Sequence, residues 1–449
     1  MLYRKVSDFI GNFLKSDAQK ILVIDGARQI GKSYIIRYVG QKLFKNYIEI
    51  NLMEDSQSAH RFENIGSIED LYFQISMVFG EKLGTKEDTL IFLDEIQVYP
   101  NLMTLLKFLR QDNRFTFICS GSLLGVTLSQ TSSIPMGSME LVHMYPLDFE
   151  EFLYANGFNF DAVKNLEQKF QNNESLDENT HRNMIDLFKK YLIVGGLPDA
   201  VNAFIESRNV ARIRKVQNDT HDYYAADASK YDTENKLKIR RIFDLIPSNL
   251  ENKKKRVVLK DIENKKGVTA ARYENEFDYL VSSGIALEVR AVSNPKFPLS
   301  ESQSKNLLKL YLNDAGILSS ILYGMNPNAI LNDEKSINLG TLYECVVASE
   351  LKAHGFRLFY YDNKDKGEVD FLIDDYDNLK VLPVEVKSGK DYFIHRALNT
   401  FLSNDEYNID RGIVFSNERN IYTDEKNILY LPVYFVMFLK PYSKDEVLI

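Results

Sequence analysis

The chain has 449 residues, of which 45% are apolar and 26% are charged, and its formal net charge is −8. A chain of this length is too long to fold around one hydrophobic core, so we expect three or four domains. The net negative charge argues against wholesale coating of nucleic acid, although it leaves room for a local basic face. The two cysteines, Cys119 and Cys345, lack metal-ligand spacing, which argues against a disulfide framework or a zinc site and indicates a reducing compartment.

Neither end of the chain predicts a membrane segment. Residues 1–16 carry charges throughout and have the apolar spacing of an amphipathic helix, without the apolar core of a signal peptide. The longest apolar run, residues 428–439, is too short to span a bilayer and predicts a buried strand. We therefore expect a cytoplasmic protein that does not enter a membrane.

A glycine-rich loop provides the first chemical motif. It follows a strand-like run, precedes a helix-like run over residues 34–44, and has the P-loop pattern G-x-x-x-x-G-K-S. Backbone N–H groups of such a loop surround phosphates, Lys32 would reach the outer phosphates, and the Ser33 hydroxyl would hold Mg²⁺. The predicted nucleotide-binding residues are Gly26, Ala27, Arg28, Gln29, Ile30, Gly31, Lys32 and Ser33.

An acidic strand end provides the second motif. The run from Thr89 to Leu93 is followed by Asp94 and Glu95, which is the Walker B pattern. Asp94 would hold Mg²⁺, directly or through water, and Glu95 would orient and deprotonate the attacking water. The pattern also occurs at the acidic end of an ordinary buried strand, but its position after a P-loop favours the catalytic interpretation.

Two further segments complete the predicted nucleotide site. An apolar strand over residues 115–119 ends in Ser120 and Ser122, either of which could sense the γ-phosphate if the strand lies between the P-loop and Walker B strands. A fifth strand follows over residues 140–144, and helical periodicity then extends to about residue 226, interrupted by Gly195-Gly196-Leu197-Pro198.

In combination these motifs resemble AAA-type ATP-binding proteins of bacteria and archaea that carry an uncharacterised, nuclease-like C-terminal half. The resemblance rests on GARQ-x-GKS, FLDEIQ, SGS, YPL-x-F-x-EF and GGLP-x-A. It implies ATP as ligand, and it implies that Gly196 and Pro198 in a helical lid touch the base. Many relatives carry Gly-Arg before the fifth strand, where this chain has Gly137-Ser138, so an arginine contribution from that position is in doubt. Arg110 and Arg114 are other candidates for an arginine finger, and nothing in the sequence distinguishes them from surface residues.

The middle of the chain predicts helices followed by two strand-like pieces, residues 285–290 and 307–313, which is typical of a winged helix. That fold binds DNA in some proteins and only packs domains in others. The basic run Lys253-Lys254-Lys255-Arg256 could clamp phosphates or could be a solvated loop.

The C-terminal segment predicts the element order αβββαβ, which resembles the PD-(D/E)xK nuclease fold. The resemblance places Glu344 on the first helix, Asp370 on one strand and Glu385 with Lys387 on the next. Glu344, Asp370 and Glu385 would hold Mg²⁺ or Mn²⁺, and Lys387 would steady the attacking hydroxide or the phosphate.

The predicted fold class is α/β, built from four domains. These are a P-loop core with a parallel sheet (residues 1–150), a helical lid (151–233), a winged-helix domain (234–330) and a nuclease-like domain (331–449). The predicted function is an ATPase that couples its nucleotide state to action on nucleic acid. The alternative is a regulatory switch whose C-terminal domain only binds a partner, either another copy of the chain or a different protein.

Overall fold

The chain folds into two units in a computed structural model. The structure describes residues 1–16, 19–122, 124, 136–231, 236–363, 367–389, 392–393 and 395–442. The first unit is formed mainly by Tyr3–Tyr145, and the second by Pro146–Val281 and the chain from Ile285 onward. Within these described ranges, no helix is both long enough and apolar enough to cross a bilayer.

The first unit is built on a five-stranded parallel sheet. Its strands are β1 (Ile21–Asp25), β2 (Asn46–Asn51), β3 (Thr89–Asp94), β4 (Thr116–Gly121) and β5 (Met139–His143). Strands β1 and β3 are buried along their whole length, as expected when helices cover both faces of a parallel sheet. The strand order β2-β3-β4-β1-β5 places β4 between β1 and β3, which confirms the predicted position of the strand that ends in serines.

In the described part of this unit, α-helices accompany the sheet. They are α1 (Lys5–Lys15), α2 (Lys32–Leu43), α3 (Leu52–Gln57), α4 (Ile68–Phe79) and α5 (Pro100–Asp112). Helix α4 begins where the Ser67 side chain accepts a hydrogen bond from the Asp70 N–H at 3.1 Å, and α5 begins with Pro100, which suits a first helical turn. Residues of α4 and α5 pack against β1, β3 and β4 in one apolar core that includes the fully buried Cys119.

The second unit begins with a long helical region. The α-helices described between residues 146 and 331 are α6 (Phe149–Ala155), α7 (Phe160–Gln171), α8 (Glu178–Val194), α9 (Pro198–Ser207), α10 (Val210–Tyr231), α11 (Lys236–Glu251), α12 (Leu259–Glu263), α13 (Glu274–Ser282), α14 (Ala315–Tyr323) and α15 (Asn328–Leu331). Asp148 and Glu151 form a reciprocal capping box that fixes the start of α6. The helical character predicted for residues 151–226 is therefore present.

An eight-stranded sheet forms the other part of the second unit. Its strands are β6 (Ala286–Val292), β7 (Gln303–Leu312), β8 (Phe359–Asn363), β9 (Gly367–Asp375), β10 (Lys380–Val386), β11 (Gly412–Ser416), β12 (Tyr422–Thr423) and β13 (Ile428–Pro432). They lie in the order β12-β13-β11-β10-β9-β8-β6-β7. Two helices of this segment are α16 (Leu339–Ala353) and α17 (Arg396–Leu402).

The chain from α16 to β11 follows the predicted order αβββαβ. Strands β8, β9 and β10 are antiparallel neighbours, and β11 pairs with β10 in parallel. Cys345 lies fully buried on α16. Helix α17, which runs from Arg396 to Leu402, is the second helix of that order.

Two predicted elements differ from the structure. The strand pair expected to form the wing of a winged helix is the hairpin β6–β7, and β6 pairs in parallel with β8, so these strands belong to the C-terminal sheet. The apolar run 428–439 is not one strand, because β13 ends at Pro432 and Val433–Phe438 form a 3₁₀ helix. Proline has no N–H group with which to continue the hydrogen bonds of a strand.

Candidate functional site

The loop between β1 and α2 requires glycine at two positions. Gly26 has a φ of +137°, and a Cβ at this position would lie 2.2 Å from the carbonyl oxygen of Met144. Gly31 has a φ of +93° and immediately precedes α2. These backbone conformations are unfavourable for other residues, so the two glycines of the motif set the path of the loop.

Lys32 directs its ammonium group to the carbonyl oxygens of the same loop. Its Nζ atom donates to Gly26 O at 2.9 Å and to Ala27 O at 2.7 Å, and only 5% of the residue is exposed. Burial lowers the pKa of Lys32, although the negative charges of Glu95 and Asp25 oppose this effect. The loop therefore holds a concentrated positive charge beside its backbone N–H groups.

Ser33 of the P-loop and Asp94 at the end of β3, the two predicted Mg²⁺ ligands of the nucleotide site, lie in direct contact. The Ser33 hydroxyl donates to Asp94 Oδ2 at 2.8 Å, and the Ser120 hydroxyl donates to Asp94 Oδ1. Burial raises the pKa of Asp94, and the hydrogen bonds from both serines act in the opposite direction. A hydroxyl and a carboxylate at this distance fit Mg²⁺, which prefers oxygen ligands and retains several waters.

Glu95 lies next to this pair in a separate hydrogen-bond network. Its Oε2 atom accepts from the Ser122 hydroxyl at 2.7 Å and from the Gln97 amide, while Arg28 Nε donates to Ser122 Oγ at 2.9 Å. Burial alone would raise the pKa of Glu95, but the charge of Lys32 and the bonds from Ser122 and Gln97 hold it below its ordinary value. Glu95 is therefore held as a carboxylate.

The two serines left open by the sequence have different neighbours. Ser120 contacts Asp94, and Ser122 connects Arg28 with Glu95. Sequence reasoning missed Gln97 and the connection through Arg28. A polar residue two positions after Glu95, at the end of a buried strand, was the available signal for Gln97.

The other residues proposed for nucleotide contact or hydrolysis are Gly196, Pro198, Arg110 and Arg114. The contacts described for them are with protein groups. The Gly196 N–H donates to Asp314 Oδ2 at 2.6 Å, the Gly196 carbonyl accepts from Leu147 N at 2.7 Å, and Pro198 begins α9. Arg114 lies over the Tyr72 ring and pairs with Asp112, and Arg110 lies in the last turn of α5. Base contact and arginine-finger roles for these residues stay predictions.

The C-terminal candidate residues fall into two paired groups. Asp370 and Glu385 lie on neighbouring strands. Asp370 Oδ2 accepts from Val386 N at 2.9 Å, and Lys387 Nζ lies 2.8 Å from Glu385 Oε2. Burial and the negative charge of Asp370 raise the pKa of Glu385. For Asp370, the charges of Lys387 and Lys255 outweigh burial and lower the pKa.

Glu344, the third predicted metal ligand, is paired with other residues. Its Oε1 atom binds Lys255, and its Oε2 atom accepts from the Tyr311 hydroxyl at 2.9 Å. Across the residues that the structure describes, no group of three or more His, Cys, Asp or Glu side chains is arranged to hold a metal ion. The three carboxylates predicted to share a cation therefore do not form such a group here.

Three of the four residues in the basic run before α12 form ion pairs within the chain, while Lys253 and Lys254 are exposed. Lys254 and Arg256 both pair with Asp362, whose side chain is 4% exposed, and Lys255 pairs with Glu344. Sequence reasoning missed these contacts because they join residues about a hundred positions apart. It also missed the fully buried Lys309, whose Nζ lies 2.5 Å from Glu368 Oε1; a lysine between two leucines on a strand was the available signal.

Three family models match successive parts of the chain. Residues 18–153 match a model described as an AAA domain, so the first unit is an AAA domain that carries the P-loop. Residues 185–328 and 339–436 match two models described as domains of unknown function, DUF8612 and DUF4143.

The chain is also similar, at 25% sequence identity or less, to three individual proteins. An uncharacterized protein of Haemophilus influenzae is 25% identical over 189 residues, and the match spans 42% of this chain and 42% of that curated relative. A Walker-type ATPase of Pyrococcus abyssi is 15% identical over 74% of this chain and 96% of that chain, with a TM-score of 0.43. The RuvB Holliday junction branch migration motor of Thermotoga maritima is 13% identical over 64% and 89%, with a TM-score of 0.29.

Proposed function

We propose that the protein is an ATPase that binds ATP with Mg²⁺ in its AAA domain. The observation that carries this proposal is the convergence of Lys32, Ser33, Asp94 and Glu95 at the ends of β1 and β3. Each charged group there corresponds to a requirement of phosphoryl transfer, in which positioning and electrostatic stabilisation supply most of the catalysis.

Different residues of this site bind the phosphates, hold the metal and activate the attacking water. The loop N–H groups and Lys32 bind the phosphates, and Ser33 with Asp94 would hold Mg²⁺, which supplies positive charge to the phosphate oxygens. Glu95 orients a water for in-line attack and accepts its proton, since the charge of Lys32 keeps Glu95 ionised. Ser122 and Gln97 fix the orientation of Glu95, and Ser120 fixes that of Asp94.

Of the two roles proposed for the C-terminal part, cleavage of nucleic acid is the one that agrees less well with the contacts of its charged side chains. Three of the four residues in the basic run pair with carboxylates of this chain, so they are not free to bind DNA phosphates in this conformation. The candidate metal ligands are likewise paired with lysines and Tyr311. A second unit that responds to the nucleotide by binding a partner fits these contacts better than one poised for cleavage.

The decisive experiment separates nucleotide binding from hydrolysis. Lys32→Ala should abolish tight ATP binding in a fluorescent-nucleotide titration, because the phosphates lose their main cation. Glu95→Gln should retain binding and slow phosphate release by about 10²-fold or more, the scale expected for loss of a positioned base.

Lys42→Ala is the matched control, since Lys42 lies exposed in the last turn of the same helix. It should bind and hydrolyse ATP like the unmodified protein. Equal ATP affinity in the Lys32→Ala variant would overturn the assignment of the binding site. Phosphate release by Glu95→Gln at the normal rate would show that Glu95 is not the base.

A further inference from the structure

The C-terminal carboxylates lie beside an ammonium group from a distant part of the chain. Lys255, in the segment between α11 and α12, pairs with Glu344 Oε1 on α16, and the Tyr311 hydroxyl occupies Glu344 Oε2. The Glu344 side chain is 4% exposed and that of Lys255 is 17% exposed. Both oxygens of this carboxylate are thus used by protein donors.

The positive charge of Lys255 also acts on Asp370, the second predicted metal ligand. Asp370 in turn accepts from Val386 N, and Glu385 on the neighbouring strand pairs with Lys387. The negative charge that would attract a divalent cation is therefore balanced by side chains. A carboxylate cluster without such partners would be costly to bury, because its members repel one another.

Contacts on both sides of Lys255 hold its segment in place. Lys254 and Arg256 pair with the buried Asp362 on β8, and Val257 N donates to Leu308 O at 3.1 Å on β7. The residues on both sides of Lys255 thus contact the sheet. These contacts fix the backbone at Lys255, so that its side chain reaches Glu344. Because these contacts already fix the backbone of the segment, placing Lys255 beside Glu344 costs little additional backbone entropy.

The residues present do not fit the divalent metal that the nuclease resemblance implies. Mg²⁺ requires near-octahedral oxygen ligands, and a cation that approached Glu344 would meet the ammonium group at Oε1 and the Tyr311 hydroxyl at Oε2. We infer that Lys255 is a tethered cation that takes the place of a metal, so that the carboxylate pocket excludes Mg²⁺ and Mn²⁺ while this segment keeps its position. The inference concerns the second unit alone and does not depend on ATP hydrolysis.

The test counts bound Mn²⁺ on the full-length chain without nucleotide. All proteins carry Asp94→Asn, which removes the carboxylate ligand predicted for the metal of the nucleotide site. Free Mn²⁺ is measured by electron paramagnetic resonance. Lys255→Met removes the charge at similar side-chain length, and Lys255→Gln keeps a donor for Glu344. Lys253→Met is the matched control, because Lys253 lies exposed in the same basic run and the contacts that hold the segment do not involve it.

The parent protein and Lys253→Met should bind no Mn²⁺ that depends on Glu344. Lys255→Met, or Lys255→Gln if the first variant does not fold, should bind one Mn²⁺ per chain. Adding Glu344→Gln should remove that ion. Glu344-dependent binding in the parent would overturn the inference. Absence of binding in a folded Lys255 variant would also overturn it, because the lysine would then not be what excludes the metal.

Discussion

At the scale of single residues, the conformation of Glu95 explains how two consecutive acids act in one site. Side chains of adjacent residues in a strand point to opposite faces. Glu95 instead has a φ of +57°, which ends β3 in a left-handed turn. Asp94 and Glu95 therefore reach Ser120 and Ser122, two residues at the end of the same neighbouring strand. A non-glycine residue in this conformation costs about 1–3 kcal/mol, and such strain is concentrated at functional sites.

The two serines should have separable effects on catalysis. Ser122→Ala removes the hydroxyl that joins Arg28 to Glu95, so phosphate release should slow by about tenfold or more, the scale of a lost hydrogen bond to a charged group. ATP affinity should change little. Ser120→Ala should instead weaken the dependence of nucleotide binding on Mg²⁺, because it frees Asp94. Steady-state hydrolysis rates and Mg²⁺ titrations of nucleotide binding measure the two effects. If both variants changed the rate and the Mg²⁺ dependence in the same way, the two serines would not have separate roles.

At the scale of elements, Asp314 ties the break between α8 and α9 to the start of α14. Its carboxylate accepts from Gly196 N at 2.6 Å and from Ile317 N at 2.9 Å, and it is 3% exposed. Burial raises the pKa of Asp314 to about 6, although the backbone hydrogen bonds oppose the shift. This position is therefore sensitive to pH.

The sign of that sensitivity is opposite to that of an ordinary salt-bridged acid. Because the folded state binds the Asp314 proton more tightly than the unfolded chain does, stability should fall as the pH rises from about 4 to about 6. Relative to Asp314→Asn, the free energy of unfolding should fall by about 2 kcal/mol over this interval. Urea unfolding of both proteins at several pH values measures it. A constant difference between them would contradict the raised pKa.

How well elements could be predicted depended on how local their determinants are. The P-loop, the acidic strand and the serine strand were recognisable, because each motif lies within about ten consecutive residues. The hairpin β6–β7 was assigned to a wing because its residues specify a pair of strands but not the third strand beside them. Arg290 pairs with Phe359, and no short-range pattern encodes that register.

The same limit applies to the C-terminal candidate site. The positions of Glu344, Asp370 and Glu385 on successive elements followed from periodicity and the resemblance. Their partners did not follow, because Lys255 and Tyr311 come from segments that precede this part of the chain. A carboxylate can equally bind a metal or a lysine, and only the folded arrangement decides between them.

At the scale of the whole molecule, the eight-stranded sheet defines where the chain can be divided. A fragment that begins at residue 331 contains β8 but lacks β6, its parallel neighbour, and it also lacks Lys255 and Tyr311. It would therefore expose an unpaired strand edge and an unbalanced carboxylate. A fragment that begins at Pro146 retains all of these partners.

We expect the fragment from residue 331 to unfold at lower urea than the fragment from Pro146, or to associate through its exposed edge. A third fragment, beginning at Ile285, restores β6, β7 and Tyr311 but not Lys255, and it should be intermediate. Size-exclusion chromatography and urea unfolding compare the three. Equal urea midpoints for the three fragments would show that β6 and β7 do not contribute to the stability of the sheet.

The distribution of the two cysteines has a consequence for following the protein in solution. Cys119 lies in the core of the first unit and Cys345 in that of the second, and both are fully buried. Burial raises the pKa of each thiol, so neither is a reactive thiolate in the native state. A thiol reagent can modify either one only after the surrounding unit opens. The rates at which the two thiols are modified therefore report the opening of each unit separately, and adding ATP should slow modification of Cys119 if the nucleotide stabilises the unit that binds it.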